Sequence, residues 1–130
     1  MRKKTSQDVI DSFESTFQDK FEISPFLEMQ WFRDALAQYA LEIKDLHYDI
    51  ETDTFPEDVE QYQITTLGLM MKRSYCVREL SRINKIQNIV GKDISLTGTG
   101  DQKRVSMEEL EFEQSRVEDL LNKQKTHCYA

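Results

Sequence analysis

The chain has 130 residues and a formal net charge of −7, with 38% hydrophobic and 32% charged residues. A chain of this length forms one core, so a single domain over residues 1–130 is expected. Seven Phe, five Tyr and one Trp argue against a disordered chain, and four Gly and two Pro leave too few turns for a β-sandwich or barrel. The composition therefore predicts a mainly α fold: a small bundle of four to five helices with one long central helix.

Charge is distributed along the chain in blocks of opposite sign. Residues 42–60 hold eight carboxylates against one lysine, residues 72–104 hold eight cations against three carboxylates, and residues 108–119 hold six carboxylates against one arginine. Such blocks favour binding to complementary surfaces, including a second copy of the same chain. The same pattern also fits solvated helix faces that have no partner.

Membrane and secreted proteins are not expected from this sequence. No segment reaches the roughly 18 to 20 uninterrupted apolar residues that a membrane span needs. The basic residues 1–6 are followed by Gln7 and Asp8 instead of an apolar run, which argues against a secretory signal. Cys76 and Cys128 do not have the spacing of a disulfide framework, and this indicates synthesis in a reducing cytoplasm.

The first predicted helix spans residues 6–21. Ser6 is a suitable N-cap, and Val9, Phe13 and Phe17 follow one another at intervals of four on a single face. Because this apolar face is narrow, we expect the helix to dock loosely, or only in an assembly.

The second predicted helix spans residues 25–45. Ser24 caps it, and Pro25 occupies the first helical position, where a missing N–H group costs nothing. Its apolar face is broad, which is typical of a helix that packs against a core. Aromatic residues at helical spacing usually pack inward, so the core is expected to include Phe26, Trp31 and Phe32.

An acidic connection over residues 46–55 leads into a long third helix, predicted over residues 56–90. Thr54 and Glu57 have the spacing of a capping box. An unbroken helix of this length would measure roughly 50 Å. Gly68 lies in its middle and predicts a kink, a close helix crossing or a division into two helices.

Residues 91–100 are predicted to form an extended arm bounded by glycines. Ile94 and Leu96 alternate with polar residues in the manner of a short strand, and Gly98 and Gly100 turn the chain back. Two apolar side chains on such an arm bury little within one molecule. The arm is therefore expected to reach a neighbouring molecule.

The last helix is predicted to begin at Asp101 or Ser106, with residues 123–130 as a tail that is frayed or docked on a partner. Its apolar seam is thin and fits one neighbouring helix, in the same chain or in another. We predict contacts between molecules from the arm and this helix. These contact residues are Lys92, Asp93, Ile94, Ser95, Leu96, Thr97, Lys103, Arg104, Leu110, Val117 and Leu121.

The sequence does not contain a pattern typical of an enzyme, and we predict no catalytic residue, no cofactor and no metal. The soft metal ligands His47, Cys76 and the adjacent pair His127 and Cys128 lack chelate spacing. A phosphate loop is not expected, because Gly91 and Lys92 open the arm instead of closing a glycine-rich loop, and no apolar strand precedes them. Cys76 lies within an apolar helical pattern and is expected to be a small core residue.

A basic stripe offers a possible contact with nucleic acid. Arg78, Arg82 and Lys85 are spaced at i, i+4 and i+7, so they share one helix face. The chain is acidic overall, with a pI near 4.9, and lacks a module that reads bases. The expected contact is therefore weak and non-specific, with DNA that passes through an assembly.

With these segments described, the chain resembles the small helical adaptor proteins of the head–tail connector in tailed bacteriophages. The resemblance covers roughly residues 20–127 and rests on four strings. They are SPFLEMQWFRDA at 24–35, SRINKIQNIV at 81–90, GKDISLTG at 91–98 and KTH at 125–127.

The resemblance implies a mainly helical protein of the phage neck. Such adaptors form a ring of about a dozen copies beneath the portal protein and join it to the next connector or tail protein. DNA passes through the centre of the ring. The expected location is the virion neck, after synthesis in the cytoplasm of the bacterial host. The alternative is a small helical regulatory or chaperone-like protein that binds one protein partner through its C-terminal helix.

Overall fold

The computed structural model of the chain describes residues 3–17, 23–56, 58–90 and 99–128. They form four α-helices: α1 (Ser6–Glu14), α2 (Pro25–Glu42), α3 (Gln61–Val90) and α4 (Thr99–Cys128). Within these ranges no strand is present, and the one β-type pairing is an isolated antiparallel bridge between Asp49 and Thr54. The predicted fold class, a small and mainly α bundle, is confirmed.

Helix α3 is the centre of the molecule, and α1, α2 and α4 all pack against it. Thr66 of α3 accepts a hydrogen bond from Gln124 of α4, whereas Lys72, further along α3, pairs with Glu109, which comes earlier in α4. The two helices are therefore antiparallel. Each has 30 residues. They form a hairpin about 45 Å long at the standard helical rise.

The hydrophobic core contains residues from all four helices and from the connection between α2 and α3. Val9 and Phe13 of α1 are fully buried in it, so α1 is docked within the single chain, contrary to the expected loose docking. Trp31 and Phe32 of α2 belong to the core as predicted, but Phe26 is 77% exposed. Phe26 lies in the first turn of α2, before that helix reaches the core.

Gly68 marks a close helix crossing, one of the three predicted possibilities. Helix α3 continues through it without a break. A Cβ atom at this position would lie 2.8 Å from Oγ of Ser12 and 3.1 Å from the backbone nitrogen of Phe13. The absence of a side chain therefore allows α1 to approach the backbone of α3 closely.

The boundaries of α1 differ from the predicted ones because other groups cap the helix. Thr5 is the N-cap instead of Ser6: the Gln7 amide donates to the Thr5 side chain, and the Thr5 amide donates to the Asp8 carboxylate at 2.7 Å. The helix ends at Glu14, whereas the prediction extended it to residue 21.

The start of α3 also differs from the prediction. The helix begins at Gln61, because Thr54 exchanges two backbone hydrogen bonds with Asp49, at 2.9 and 3.2 Å, instead of capping a helix. Asp53, in the turn between them, has a φ of 53°. Its carboxylate accepts hydrogen bonds from the Ser6 amide and the Tyr48 hydroxyl. The acidic connection is therefore an ordered turn attached to the start of α1.

Helix α4 is longer than predicted at both ends. It begins at Thr99, before either predicted start, and continues to Cys128. Residues 123–128 are therefore helical, although the sequence predicted a tail there, and Gln124 is buried. Thr99 and Gly100, which the sequence predicted as the end of the arm, belong to α4, so the predicted turn at Gly100 is wrong; residues 91–98 lie outside the described ranges, and an arm there remains a prediction.

Candidate interaction surfaces

The outer surface of α3 carries the predicted basic stripe. Arg78, Arg82 and Lys85 are all exposed. Arg78 comes two positions after the buried Cys76, and Lys85 comes two positions after the buried Ile83. Two residues correspond to a rotation of about 200° around a helix. The stripe, here called the basic face, therefore points away from the buried side of α3.

One of the three cations on the basic face is paired within its own helix. Nη2 of Arg82 lies 3.0 Å from Oε2 of Glu79, and Nε of Arg82 also donates to that oxygen. An exposed ion pair of this kind contributes little to stability, but it lowers the positive potential of the basic face.

The outer surface of α4 is acidic. Among its described residues five carboxylates are exposed: Glu109 is paired with the buried Lys72, and the other four, here called the acidic face, are Glu108, Glu111, Glu118 and Asp119. Apolar side chains lie among them: Val105 is 53% exposed and Phe112 is 60% exposed. The guanidinium carbon of Arg116 is 5.6 Å from the centre of the Phe112 ring. Large exposed apolar groups beside charges are typical of surfaces that contact other proteins.

The inner seam of α4 packs within the chain, and this corrects part of the predicted contact set. Val117 is fully buried and Leu121 is 3% exposed, both in the common core. These two side chains are therefore core residues and do not form a surface for a second molecule. Leu110 is half-buried.

The remaining predicted contact residues are divided between described and undescribed parts of the chain. Lys103 is half-buried and Arg104 is exposed, both on α4. The arm residues Lys92, Asp93, Ile94, Ser95, Leu96 and Thr97 lie outside the described ranges, and their contacts stay predictions.

A buried lysine of α3, which the sequence did not reveal as special, connects α3 to α4 and to the segment that follows α1. Nζ of Lys72 lies 3.6 Å from the centre of the Phe17 ring and 5.6 Å from that of Tyr75. It also lies 3.7 Å from Oε1 of Glu109. Because Lys72 is only 6% exposed, these cation–π and ionic contacts compensate for its lost hydration.

A cavity of about 200 Å³ adjoins this lysine and includes Cys76, Ser106 and Glu109 in its lining. Burial raises the pKa of the Cys76 thiol to about 12, and the nearby Glu109 acts in the same direction. The thiol therefore stays protonated near neutral pH and is a poor nucleophile. The prediction that Cys76 is a small core residue is confirmed by its 3% exposure.

A buried hydrogen-bond network attaches the C-terminal half of α4 to α2 and α3. The Tyr39 hydroxyl donates to Oε1 of Gln124, and Nε2 of Gln124 donates to Oγ1 of Thr66 at 2.9 Å. Nε2 of Gln63 donates to the Tyr39 hydroxyl at 3.4 Å. The sequence signal for this network was Gln124 itself, a polar residue three positions after Leu121 in the apolar seam.

A buried carboxyl group lies between α1 and α2. Glu28 is 6% exposed, and its Oε2 atom has no hydrogen-bond partner. The pKa of Glu28 is raised to about 7. Burial is the largest cause, followed by the hydrogen bond and negative charge of Glu14 and then by the charge of Asp11. The packing of α1 on α2 is therefore sensitive to whether the Glu28 carboxyl group is protonated near neutral pH.

The described residues lack a group of three or more His, Cys, Asp or Glu side chains that would hold a metal ion. Among those same residues, the helices are too short or too polar to cross a membrane. No protein-family model, curated protein or solved structure matches the chain. A functional interpretation therefore depends on the surfaces and sequence strings of this chain.

Proposed function

We propose that the chain is a structural adaptor of the neck of a tailed bacteriophage. In this role it forms a ring of about a dozen copies that joins the portal protein to the next connector or tail protein around the DNA channel. It acts in the virion, after synthesis in the cytoplasm of the bacterial host.

The observation that carries the proposal is the exposed surface of the α3–α4 hairpin. The basic face on α3 and the acidic face on α4 belong to two antiparallel helices of 30 residues each. Val105 and Phe112 add exposed apolar area to the acidic side. A subunit within a ring needs two different surfaces, one for each neighbour, and this hairpin offers two.

The positions of the strings that resemble the adaptor family give further support. Three of the four lie in α2, at the end of α3 and near the end of α4, and the fourth, residues 91–98, lies outside the described residues. The buried members include Trp31, Phe32, Ala35 and Ile83. The resemblance therefore involves residues that determine packing, as expected for a protein whose role is architectural.

A regulatory or chaperone-like protein is the second candidate. The exposed apolar residues Val105, Met107 and Phe112 on α4 favour it, because a single partner would bury them. Stoichiometry separates the two candidates: a regulator binds one partner at a fixed low ratio, whereas a neck adaptor joins the portal in many copies.

Deletion of residues 93–98 tests the predicted arm. Helix α3 ends at Val90 and α4 begins at Thr99, so Gly91 and Lys92 would remain as a short connection of ordinary length. We expect a folded, helical protein that no longer joins filled capsids to tails. Complementation of a phage that lacks the gene, followed by electron microscopy of the particles, measures this.

A matched variant keeps the length of the connection. Ile94→Ser combined with Leu96→Ser removes the two apolar side chains alone, and we expect the same loss of joined particles. Circular dichroism of both variants checks the fold. Infectious particles from either variant would contradict the proposed role of the arm.

A further inference from the structure

The α3–α4 hairpin has two exposed faces of opposite charge that do not contact each other within the chain. The basic face is exposed on α3, on the side away from the buried Cys76. The acidic face is exposed on α4, whose opposite side holds the buried Glu113, Val117 and Leu121. The two helices meet through their buried sides, so each charged face is directed outward.

These two faces complement each other in the manner of a contact between copies. From residue 103 to 125 of α4, the acidic face holds Glu108, Glu111, Glu118 and Asp119, Glu109 is paired with Lys72, and the exposed cations are Arg104, Arg116 and Lys123. From residue 77 to 85, the exposed charges of α3 are Arg78, Arg82 and Lys85. Opposite potentials on two surfaces of one molecule favour head-to-tail association of identical copies.

Each face also has apolar side chains beside its charges. Val77, next to Arg78, is 47% exposed, and Phe112, next to Glu111, is 60% exposed. Burial of such groups supplies affinity, while the charges determine orientation and the rate of encounter. Cys76 lines the same cavity as Ser106 and Glu109. Most of the acidic face therefore lies nearer the core along the hairpin than the basic face does.

DNA fits the basic face less well than a second copy does. Duplex binding depends on several cations that neutralise phosphates, and this face has three, of which Arg82 is paired with Glu79. The whole chain has a net charge of −7 and opposes the approach of a polyanion.

We propose that the basic face of α3 in one copy docks on the acidic face of α4 in the next copy, head to tail. This inference rests on the proposed function and names the surfaces between adjacent subunits of the ring. The contact is heterologous, since each copy uses a different surface toward each neighbour, and repetition of such a contact closes a ring when the rotation permits.

Charge reversal tests this contact in the full chain. One variant combines Arg78→Glu, Arg82→Glu and Lys85→Glu, and the other combines Glu108→Lys, Glu111→Lys and Glu118→Lys. Light scattering at low salt should show the wild-type chain as a multimer and each variant as a monomer. An equimolar mixture should recover the multimer, because each reversed face then meets a complementary one on the other variant.

The matched control reverses Glu51 and Asp58 to Lys, two exposed carboxylates in the connection between α2 and α3. This control should associate like the wild-type chain. Its loss of association would show that the basic face docks on the connection instead, and would overturn the inference. Circular dichroism confirms that every variant is folded.

Three other outcomes would also overturn the inference. They are a wild-type monomer at low salt, association that survives either reversal, and reversed variants that stay monomeric when mixed. Loss of duplex binding in fluorescence anisotropy, with association intact in the first variant, would assign the basic face to DNA. If the wild-type chain binds the portal in many copies but neither reversal changes association, the inference fails and the proposed function stands. If the wild-type chain does not bind the portal, the proposed function is contradicted.

Discussion

Glu28 links the packing of α1 on α2 to the state of one proton. Its buried carboxyl group has a pKa of about 7, raised by burial and by Glu14. A carboxyl group whose pKa is raised on folding binds its proton more tightly in the folded chain than in the unfolded chain. Its contribution to stability is therefore fully present below the unfolded pKa near 4.5 and is lost as the pH rises through about 7.

Glu28→Gln should remove this pH dependence, because the amide keeps the shape of the protonated carboxyl group and never ionises. We expect the variant to be more stable than the wild type at pH 8 by about 1 to 3 kcal/mol, and similar to it near pH 4.5. Urea unfolding at both pH values measures the difference. Asp34→Asn, at an exposed position on the same helix, is the control. Parallel pH profiles for the Glu28 variant and the wild type would contradict the assignment.

At the scale of the helices, the position of α1 on α3 depends on Gly68. Replacement by Ala gains about 1 kcal/mol in helix propensity. The new Cβ would lie 3.1 Å from the Phe13 backbone nitrogen, which moves only if α1 moves. The loss of packing should exceed the gain in propensity, and this makes the sign of the effect a test of the helix crossing.

We therefore predict that Gly68→Ala lowers the free energy of unfolding by about 1 to 3 kcal/mol, the usual cost of overpacking. Thermal unfolding followed by circular dichroism measures the change. Adding Ser12→Ala removes the nearest atom, Oγ at 2.8 Å, and should recover part of the loss. Ser81→Ala, at an exposed position on α3, should leave stability nearly unchanged. If the melting temperature of the Gly68→Ala variant is equal to or higher than that of the wild-type chain, the crossing of α1 and α3 is not tight.

Local signals in the sequence predicted the helices well where the chain itself supplies the cause. Ser24 and Pro25 fixed the start of α2, since capping and a fixed φ act within one turn. Helical periodicity placed Trp31 and Phe32 in the core. The predicted capping box at Thr54 failed because that residue bonds to Asp49 in a turn, which competes locally with helix formation.

Contacts between distant segments were beyond the sequence signals. The seam of α4 fitted a neighbouring helix in this chain or in another, and periodicity alone does not distinguish the two. Val117 and Leu121 pack in the chain's own core, so the contacts expected there between molecules were misplaced. Lys72 likewise gave no signal, because its partners Phe17 and Glu109 are far apart in sequence and meet only in the folded chain.

At the scale of the whole molecule, the charge blocks of the sequence become separate surfaces. The basic block contributes the outer face of α3, and the second acidic block contributes the outer face of α4. The hydrophobic core, the contacts of Lys72 with Phe17 and Glu109, and the hydrogen bond from Gln124 to Thr66 hold the two helices together. The hairpin therefore presents both faces in a fixed relation, as repeated docking into a ring requires.

We propose that this chain joins a portal protein in many copies. The most direct test mixes the chain with a candidate portal protein and measures the mass of the complex by size-exclusion chromatography with light scattering. We predict a complex with about a dozen copies of the chain per portal ring. A chain that stays monomeric or dimeric and does not bind the portal would contradict the claim and favour a regulatory protein with one partner.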